Sequence, residues 1–157
     1  MTLIKYREVG IDGLDSIQEL WRMLRSHIKD NTSDFKEEFE NISFQERKQT
    51  LIIKSNGGAL RTDLAEDEKN EIIAYCVSTT GPDNVGEVDS IYVKEGYRSQ
   101  GIGDQLMKRA LRWMEENGTE SKKIMVTVGN QEVLAFYQRY GFRPRSIIME
   151  EAENQSY

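Results

Sequence analysis

Cysteine and histidine are almost missing from this chain of 157 residues, where Cys76 and His27 are each the only one of their kind. A single thiol excludes an internal disulfide and a thiolate metal cluster, and makes a reducing, cytoplasmic compartment the expectation. A single imidazole, on a helical stretch beside the polar residues 29–33, has no partner in the sequence for a Ser-His-Asp relay or a metal site, so no metal is expected. Long hydrophobic runs are missing as well. No stretch approaches the roughly 20 apolar residues of a membrane span, and the opening Met1-Thr2-Leu3-Ile4-Lys5 does not read as a signal peptide; a soluble protein with no membrane partner is expected. Positive charge is in deficit, with a formal net charge of −6. That argues against a nucleic-acid partner, because neutralising phosphates needs a clustered excess of Lys and Arg. An acidic surface suits cationic partners such as amines. Proline occurs twice, and there is no internal repeat or low-complexity tract.

What is present fits a globular domain. With 38% hydrophobic and 31% charged residues, the chain is long enough to bury one core, and a single domain over 1–157 is expected. The apolar patterning gives an alternating order of strands and helices. Residues 3–9 read as an edge strand. Asp12 caps a helix whose Leu14, Ile17, Leu20, Trp21, Leu24 and Ile28 fall at helical spacing. A second helix is predicted over 35–46 and a strand over 50–54. Residues 55–70 are polar, contain Gly57-Gly58 and an acidic run at Glu66, Asp67 and Glu68, and read as a long hairpin loop. Strands over 72–79 and 87–93 flank the turn Gly81-Pro82-Asp83-Asn84 as an antiparallel pair. A strong helix follows over 104–116, with Leu106, Ala110, Trp113 and Met114 as its stripe and Gly118 as its stop. A buried strand over 123–128, a short helix over 131–140 and a closing strand over 142–150, interrupted by Pro144, complete the order. The tail 151–157 is expected to fray.

The chemistry concentrates at Arg98-Ser99-Gln100-Gly101-Ile102-Gly103, a glycine-bearing turn between a predicted strand and a predicted helix. The N–H groups at a helix N-terminus lack intrahelical partners, and the helix dipole adds partial positive charge, so a phosphate can dock there on main chain alone. Glycine lets a ligand approach that closely. An ordinary strand-to-helix loop has the same composition, and the rest of the sequence must decide between the two.

Here the sequence resembles the GNAT superfamily of N-acetyltransferases. That family's pattern of Arg or Gln, two residues, Gly, one residue, then Gly or Ala is matched by residues 98–103, preceded by Ile91-Tyr92-Val93 and Tyr97. A second block matches at Asn130, Ala135-Phe136-Tyr137 and Tyr140-Gly141-Phe142. The likeness is clear from about residue 72 onward and earlier rests on the order of elements alone. It implies an α/β (α+β) fold with a mostly antiparallel, mixed sheet of six to seven strands, splayed centrally and flanked by about four helices. A cofactor half would lie at about 72–150 and an acceptor half at about 10–70.

The resemblance also implies acetyl-CoA as co-substrate and direct attack by a primary amine in a ternary complex. The backbone of Ser99, Gln100, Gly101, Ile102, Gly103 and Asp104 would hold the pyrophosphate, with Arg98 adding charge. The strand at Ile91, Tyr92 and Val93 would splay from its neighbour and take the pantetheine arm on its unpaired N–H and C=O groups. An N–H near Ile91 or Val93 would polarise the thioester carbonyl. Glu87 matches the general-base glutamate of the histone-acetylating branch, Asp89 shares its strand face and is the second candidate, and either is equally a solvated carboxylate at a strand start. Another branch, acting on protein N-termini, carries its glutamate where this chain has Met125, which counts against that branch's base mechanism here. Tyr137 matches the tyrosine that donates a proton to the departing thiolate. Asn130 would bind the cofactor arm or cap the following helix. The acceptor, a small molecule or peptide amine, is not readable, and dimers are common in the family. The rival from another class is a non-catalytic acyl-CoA-binding regulatory module. Cys76, amid apolar neighbours, is expected to be an inert buried thiol.

Overall fold

The computed structural model describes residues 3–32 and 34–152. Its centre is a five-stranded sheet in the order β1 (Lys5–Val9), β2 (Ala59–Glu66), β3 (Ile72–Thr80), β4 (Val85–Val93), β5 (Ser121–Ile124). The first four strands pair antiparallel and β5 joins β4 in parallel. Five α-helices accompany it: α1 (Gln18–Asp30), α2 (Lys36–Asn41), α3 (Phe44–Lys54), α4 (Ile102–Glu116) and α5 (Leu134–Gln138), with 3-10 turns at Ile11–Ile17 and Gln131–Val133. The mixed, mostly antiparallel sheet flanked by helices is as expected, but it has five strands rather than six or seven.

Each face of the sheet buries one apolar cluster. On one face Ile73, Cys76 and Val88 meet Leu106, Met107, Ala110 and Met114 of α4 and Tyr137 of α5. On the other, Leu64, Tyr75 and Val77 meet Leu14, Ile17, Leu20 and Trp21, with Phe44 and Leu51 of α3. The apolar stripes read for α1 and α4 are those buried faces. Trp21 and Phe44 lock α1 to α3 edge to face, ring centres 5.4 Å apart.

Five local expectations are corrected. The strand expected over 50–54 is the last turn and a half of α3, and the helix expected over 35–46 is split between α2 and α3 at Ile42 and Ser43. Ser43 caps α3 by accepting the Glu46 N–H at 3.2 Å, and the Ser43-Phe44-Gln45-Glu46 spacing is that of a capping box. Phe44 and Leu51, two turns apart, then share the buried side, while Ile53 points outward. The loop expected over 55–70 holds β2, whose charges are paired rather than solvated: Asp63, fully buried, accepts from Arg61 at 2.8 Å and from Arg109 of α4 at 2.9 Å. The strand over 123–128 shrinks to β5, and its parallel register, from Val85 opposite Ser121 to Val88 opposite Ile124, stops halfway along β4. The closing strand expected over 142–150 has no regular secondary structure and pairs with no described strand. The predicted tail lies, from residue 153 on, outside the described residues. Among the described residues no helix is long and apolar enough to cross a membrane.

Candidate active site

The end of β5 at Ile124 leaves residues 89–93 of β4 without a neighbour on that side, and the gap continues into the N-terminus of α4. A cleft of about 560 Å³ opens there. Its floor is Ile91, Tyr92 and Val93, and its end wall is Arg98, Ser99, Gly101, Ile102, Gly103 and Asp104. Its sides are Leu24 and His27 of α1, with Asn130, Glu132, Val133, Phe136 and Arg139 opposite. Ten of the residues expected at a cofactor site therefore line one cavity. Gln100 and Tyr137 are not among them: Gln100 is exposed, and its side-chain amide donates to the Gly96 carbonyl at 3.4 Å.

The end wall has the geometry of an anion cradle. Ser99 and Gly101 take left-handed φ values of 63° and 79°, and Gly101 is the N-cap of α4. A Cβ on Gly101 would meet nothing within 4 Å, so the space in front of that backbone is open and the left-handed φ is what calls for glycine. The helical ladder begins with Gln105 N–H donating to the Gly101 carbonyl at 3.1 Å, which leaves the N–H groups of Ile102, Gly103 and Asp104 ahead of it. At Gly103 a Cβ would stand in ordinary contact, 3.4 Å from the Phe136 ring, so α5 packs directly against the first turn of α4. The residues present therefore fit a pyrophosphate held on main chain and a pantetheine arm beside β4.

Charges around the cradle are managed by neighbours. Asp104 would oppose an anion, but its carboxylate is engaged by Lys108 at 2.8 Å, by the Tyr140 hydroxyl and, at 3.8 Å, by Arg139. The Lys108 and Tyr140 hydrogen bonds hold it below the usual carboxylate range. Arg98 donates through Nε to the Val93 carbonyl at 2.9 Å and lies over the Tyr92 ring. Across the cleft, His27 Nε2 pairs with Glu132 Oε1, joining α1 to the turn before α5. That hydrogen bond keeps the Glu132 carboxyl low. The pair joins residues 105 positions apart, a distance at which sequence spacing carries no signal.

Glu87 and Asp89 lie four and two residues back along β4 from Ile91, roughly 13 Å and 7 Å at strand rise. Pairing slips between Val77 and Ser78, so that Ser90 faces Val77 and Val88 faces Ser78. The resulting bulge leaves Asp89 as the extra residue. Lys54, the last residue of α3, bridges the two carboxylates, its Nζ 2.6 Å from Glu87 Oε2 and 2.5 Å from Asp89 Oδ1. Thr79 Oγ1 donates to Asp89 Oδ2 at 2.7 Å, and Arg47 donates to the Asp89 carbonyl at 3.2 Å. Glu87 Oε1 is buried and accepts no hydrogen bond from a protein group, with the Lys123 ammonium 3.5 Å away. Burial raises the Asp89 carboxyl against the pull of Lys54 and Thr79. For Lys54, burial lowers the ammonium, but Asp89 and Glu87 outweigh it and the net movement is upward. Lys54, which falls in the stretch expected as a strand, is a site residue that sequence reasoning misses, as it misses Glu132 and Arg139; for Lys54 the Ser43 capping box is the available signal.

Tyr137 is buried in the α4-side cluster, its ring 5.5 Å from that of Phe136. Burial pushes its hydroxyl far above the usual phenol range. Cys76 is fully buried and its thiol is pushed up to about 12 by burial, as an inert cysteine would be. Met125 follows β5 and is exposed. Among the described residues no group of three or more His, Cys, Asp or Glu could hold a metal ion.

The model of the acetyltransferase (GNAT) family matches residues 20–142. An uncharacterized N-acetyltransferase of Methanocaldococcus jannaschii is 30% identical over 64 residues, 41% of this chain and 28% of that protein, so the likeness spans under a third of the relative's length. Among solved structures, an acetyltransferase of the GNAT family from Staphylococcus aureus superposes with a TM-score of 0.70 at 16% identity, covering 90% of this chain and 84% of that one. An aminoglycoside N-acetyltransferase solved with CoA gives 0.63 at 14% identity, covering 99% and 97%. At such identities these two likenesses speak for the fold.

Proposed function

Because the chain belongs to the acetyltransferase (GNAT) family, we propose that it is an acetyl-CoA-dependent N-acetyltransferase that modifies a primary amine by direct attack in a ternary complex. The observation that carries this reading is the continuity of the cleft, which runs from the α4 N-terminus to the unpaired half of β4. Acetyl-CoA would supply the activated acyl group as a thioester. The N–H groups of residues 101–104 would hold its pyrophosphate, and the free edge of β4 its amide-bearing arm. A β4 N–H near Ile91 or Val93 would donate to the carbonyl oxygen as negative charge develops there.

The amine must arrive neutral. Stripping a lysine-type ammonium, whose ordinary pKa is about 10.4, at pH 7 has to offset roughly 4–5 kcal/mol. Glu87 or Asp89 is the base in this reading, and two features support it: the upward shift of Asp89 and the fact that the pair already accepts a primary ammonium, that of Lys54. Tyr137 is assigned the leaving thiolate in this reading, as a hydrogen-bond donor: burial raises its hydroxyl and so makes it a weaker acid. The acceptor would approach over α1 to α3, so both halves of the chain would serve one transferase domain. Acidic composition favours a cationic acceptor, with an aminoglycoside-like, polyamine-like or peptide amine all compatible. A reducing cytoplasm suits both the lone buried thiol and this co-substrate.

The same bridge by Lys54 favours a second reading, a non-catalytic acyl-CoA-binding module whose acidic pair is permanently occupied. Thiol release from acetyl-CoA across a panel of polyamines, aminoglycosides and lysine peptides separates the two. The transferase reading expects turnover with at least one class and a roughly 10²–10⁴-fold lower kcat in Tyr137→Phe with co-substrate affinity retained. Tight binding of acetyl-CoA with no turnover on any amine would leave the binding module.

A further inference from the structure

The acidic pair on β4 has unpaired positive charge beside it. Arg47, two turns before Lys54 on α3, donates to the Asp89 carbonyl at 3.2 Å and is half-buried. Arg25 of α1 is half-buried too, its guanidinium 4.4 Å from the centre of the Phe39 ring and 5.4 Å from that of Trp21. One terminal nitrogen of Arg25 donates to the Glu38 carbonyl at 3.3 Å, but its buried Nε donates to no protein group. Among the described residues neither arginine forms an ion pair with a carboxylate, in a chain with 27 acidic residues. Burial lowers the Arg25 guanidinium first and the like charge of Arg47 second, while Glu38 offsets part of the loss.

Arg25 also faces a cavity. About 510 Å³ of space between α1, α2 and the start of α3 is lined by Trp21, Arg22, Arg25, Lys29, Phe39 and Phe44, a size that suits a small ligand. Phe44 belongs to its α3 wall, and Arg47, three positions on, is the neighbour of Phe44 on the next turn. The other cations of the cavity are engaged, Lys29 by Glu40 at 2.5 Å and Arg22, at longer range, by Glu19 at 3.7 Å. Among the described residues, Arg25 is therefore the cation of this cavity with charge to offer a ligand.

We propose that Arg25 and Arg47 form a carboxylate subsite for the acceptor, and that the acceptor is an amino acid or short peptide that presents its amine to Glu87 and Asp89 and its carboxylate to the two guanidiniums. This rests on the transferase reading above and narrows its acceptor class. Arg47 holds the carbonyl of the residue whose carboxylate holds the Lys54 ammonium, so a donor for a carboxylate and an acceptor for an ammonium stand one residue apart. A guanidinium fork matches a carboxylate in shape, and a carboxylate would relieve the repulsion between the arginines and give the Arg25 Nε its missing partner. A polyamine or an aminoglycoside would instead bring further ammonium groups against both. The net charge of −6 does not decide this contest, because salt screens charges beyond about 10 Å and the nearest groups dominate.

Matched acceptor pairs test the subsite. Thiol release from acetyl-CoA is measured with dipeptides and with ω-amino acids such as lysine, each against its carboxamide, which keeps the amine and the shape and removes the negative charge; the diamines putrescine and cadaverine complete the panel. For the best pair, kcat/KM is expected to be about 10- to 100-fold higher for the carboxylate, mostly through KM. That difference is expected to collapse in Arg25→Gln and in Arg47→Gln, with calorimetric binding of acetyl-CoA showing that each variant is folded. Carboxamides or diamines used as well as carboxylates by the wild type, or a preference that survives both substitutions, would overturn the inference and leave the transferase reading standing. No turnover of any amine by a protein that binds acetyl-CoA would overturn both.

Discussion

Lys54 sets the state of the acidic pair. Its ammonium is the counter-charge shared by a carboxylate whose side chain is fully buried and by one that is nearly so. Removing one partner of a buried pair strands the other, at a cost of about 3–5 kcal/mol when burial is complete. Lys54 keeps about a third of its side chain exposed, so Lys54→Met is expected to cost less, about 2 kcal/mol, read as a lowered denaturant midpoint. The pH dependence has a definite sign. The folded-state pKa of Lys54 is raised above its ordinary 10.5, so its contribution is complete below pH 10.5 and is lost as pH climbs through the raised value. The difference in Tm between wild type and Lys54→Met should hold at neutral pH and close above pH 10.5; a gap that persists there would mean that packing, not charge, fixes Lys54. Glu87 and Tyr137 can be named from sequence because each matches a position of the resembled family, and Asp89 because it shares the strand face of Glu87. Lys54 cannot, since both of its partners, Glu87 and Asp89, are in another element, Asp89 35 positions away, and its own helix reads as a β-branched strand.

At the scale of elements, the loop after β5 is tied to α1. Gly129 takes φ 103°, and a Cβ there would stand 2.7 Å from the Ile28 carbonyl oxygen. Gly129→Ala should therefore destabilise the protein by about 1–3 kcal/mol in urea unfolding. Because Asn130 and Glu132 follow directly, acetyl-CoA affinity should fall in the same variant; unchanged stability and affinity would show that the loop rearranges without consequence. The elements legible in the sequence, α1, α4, and β3 and β4 about their turn, are those with one strong period and a stop signal. β2 is hidden because Arg61, Asp63 and Glu66 read as solvated charge, whereas Arg61 and Arg109 neutralise Asp63 inside the fold. The strand-like composition of residues 50–54 is overridden by the cap at Ser43 and by the packing of Leu51. The run 142–150 has strand composition but no strand partner among the described residues.

At the scale of the whole molecule, the cleft exists because two registers disagree. β5 follows β4 for four residues and stops, while β4 continues for five more to the turn that starts α4. The floor, the end wall and the closing α5 segment thus come from stretches far apart in sequence, yet the residues of the 91–104 region are readable because one motif spans the strand-to-helix junction, and Asn130 because it opens the second block. The account's central claim is that this junction is a pyrophosphate cradle. Calorimetric titration of acetyl-CoA into wild type, Gly101→Ala and Gly101→Glu tests it most directly. Both substitutions share the cost of a left-handed φ, on the order of 1 kcal/mol, but only the glutamate variant sets a negative charge against the cradle, so the alanine variant controls for strain. The account predicts binding on the order of micromolar Kd in wild type, retained with modest weakening in Gly101→Ala and abolished in Gly101→Glu. No binding by wild type, or equal binding by wild type and Gly101→Glu, would contradict it.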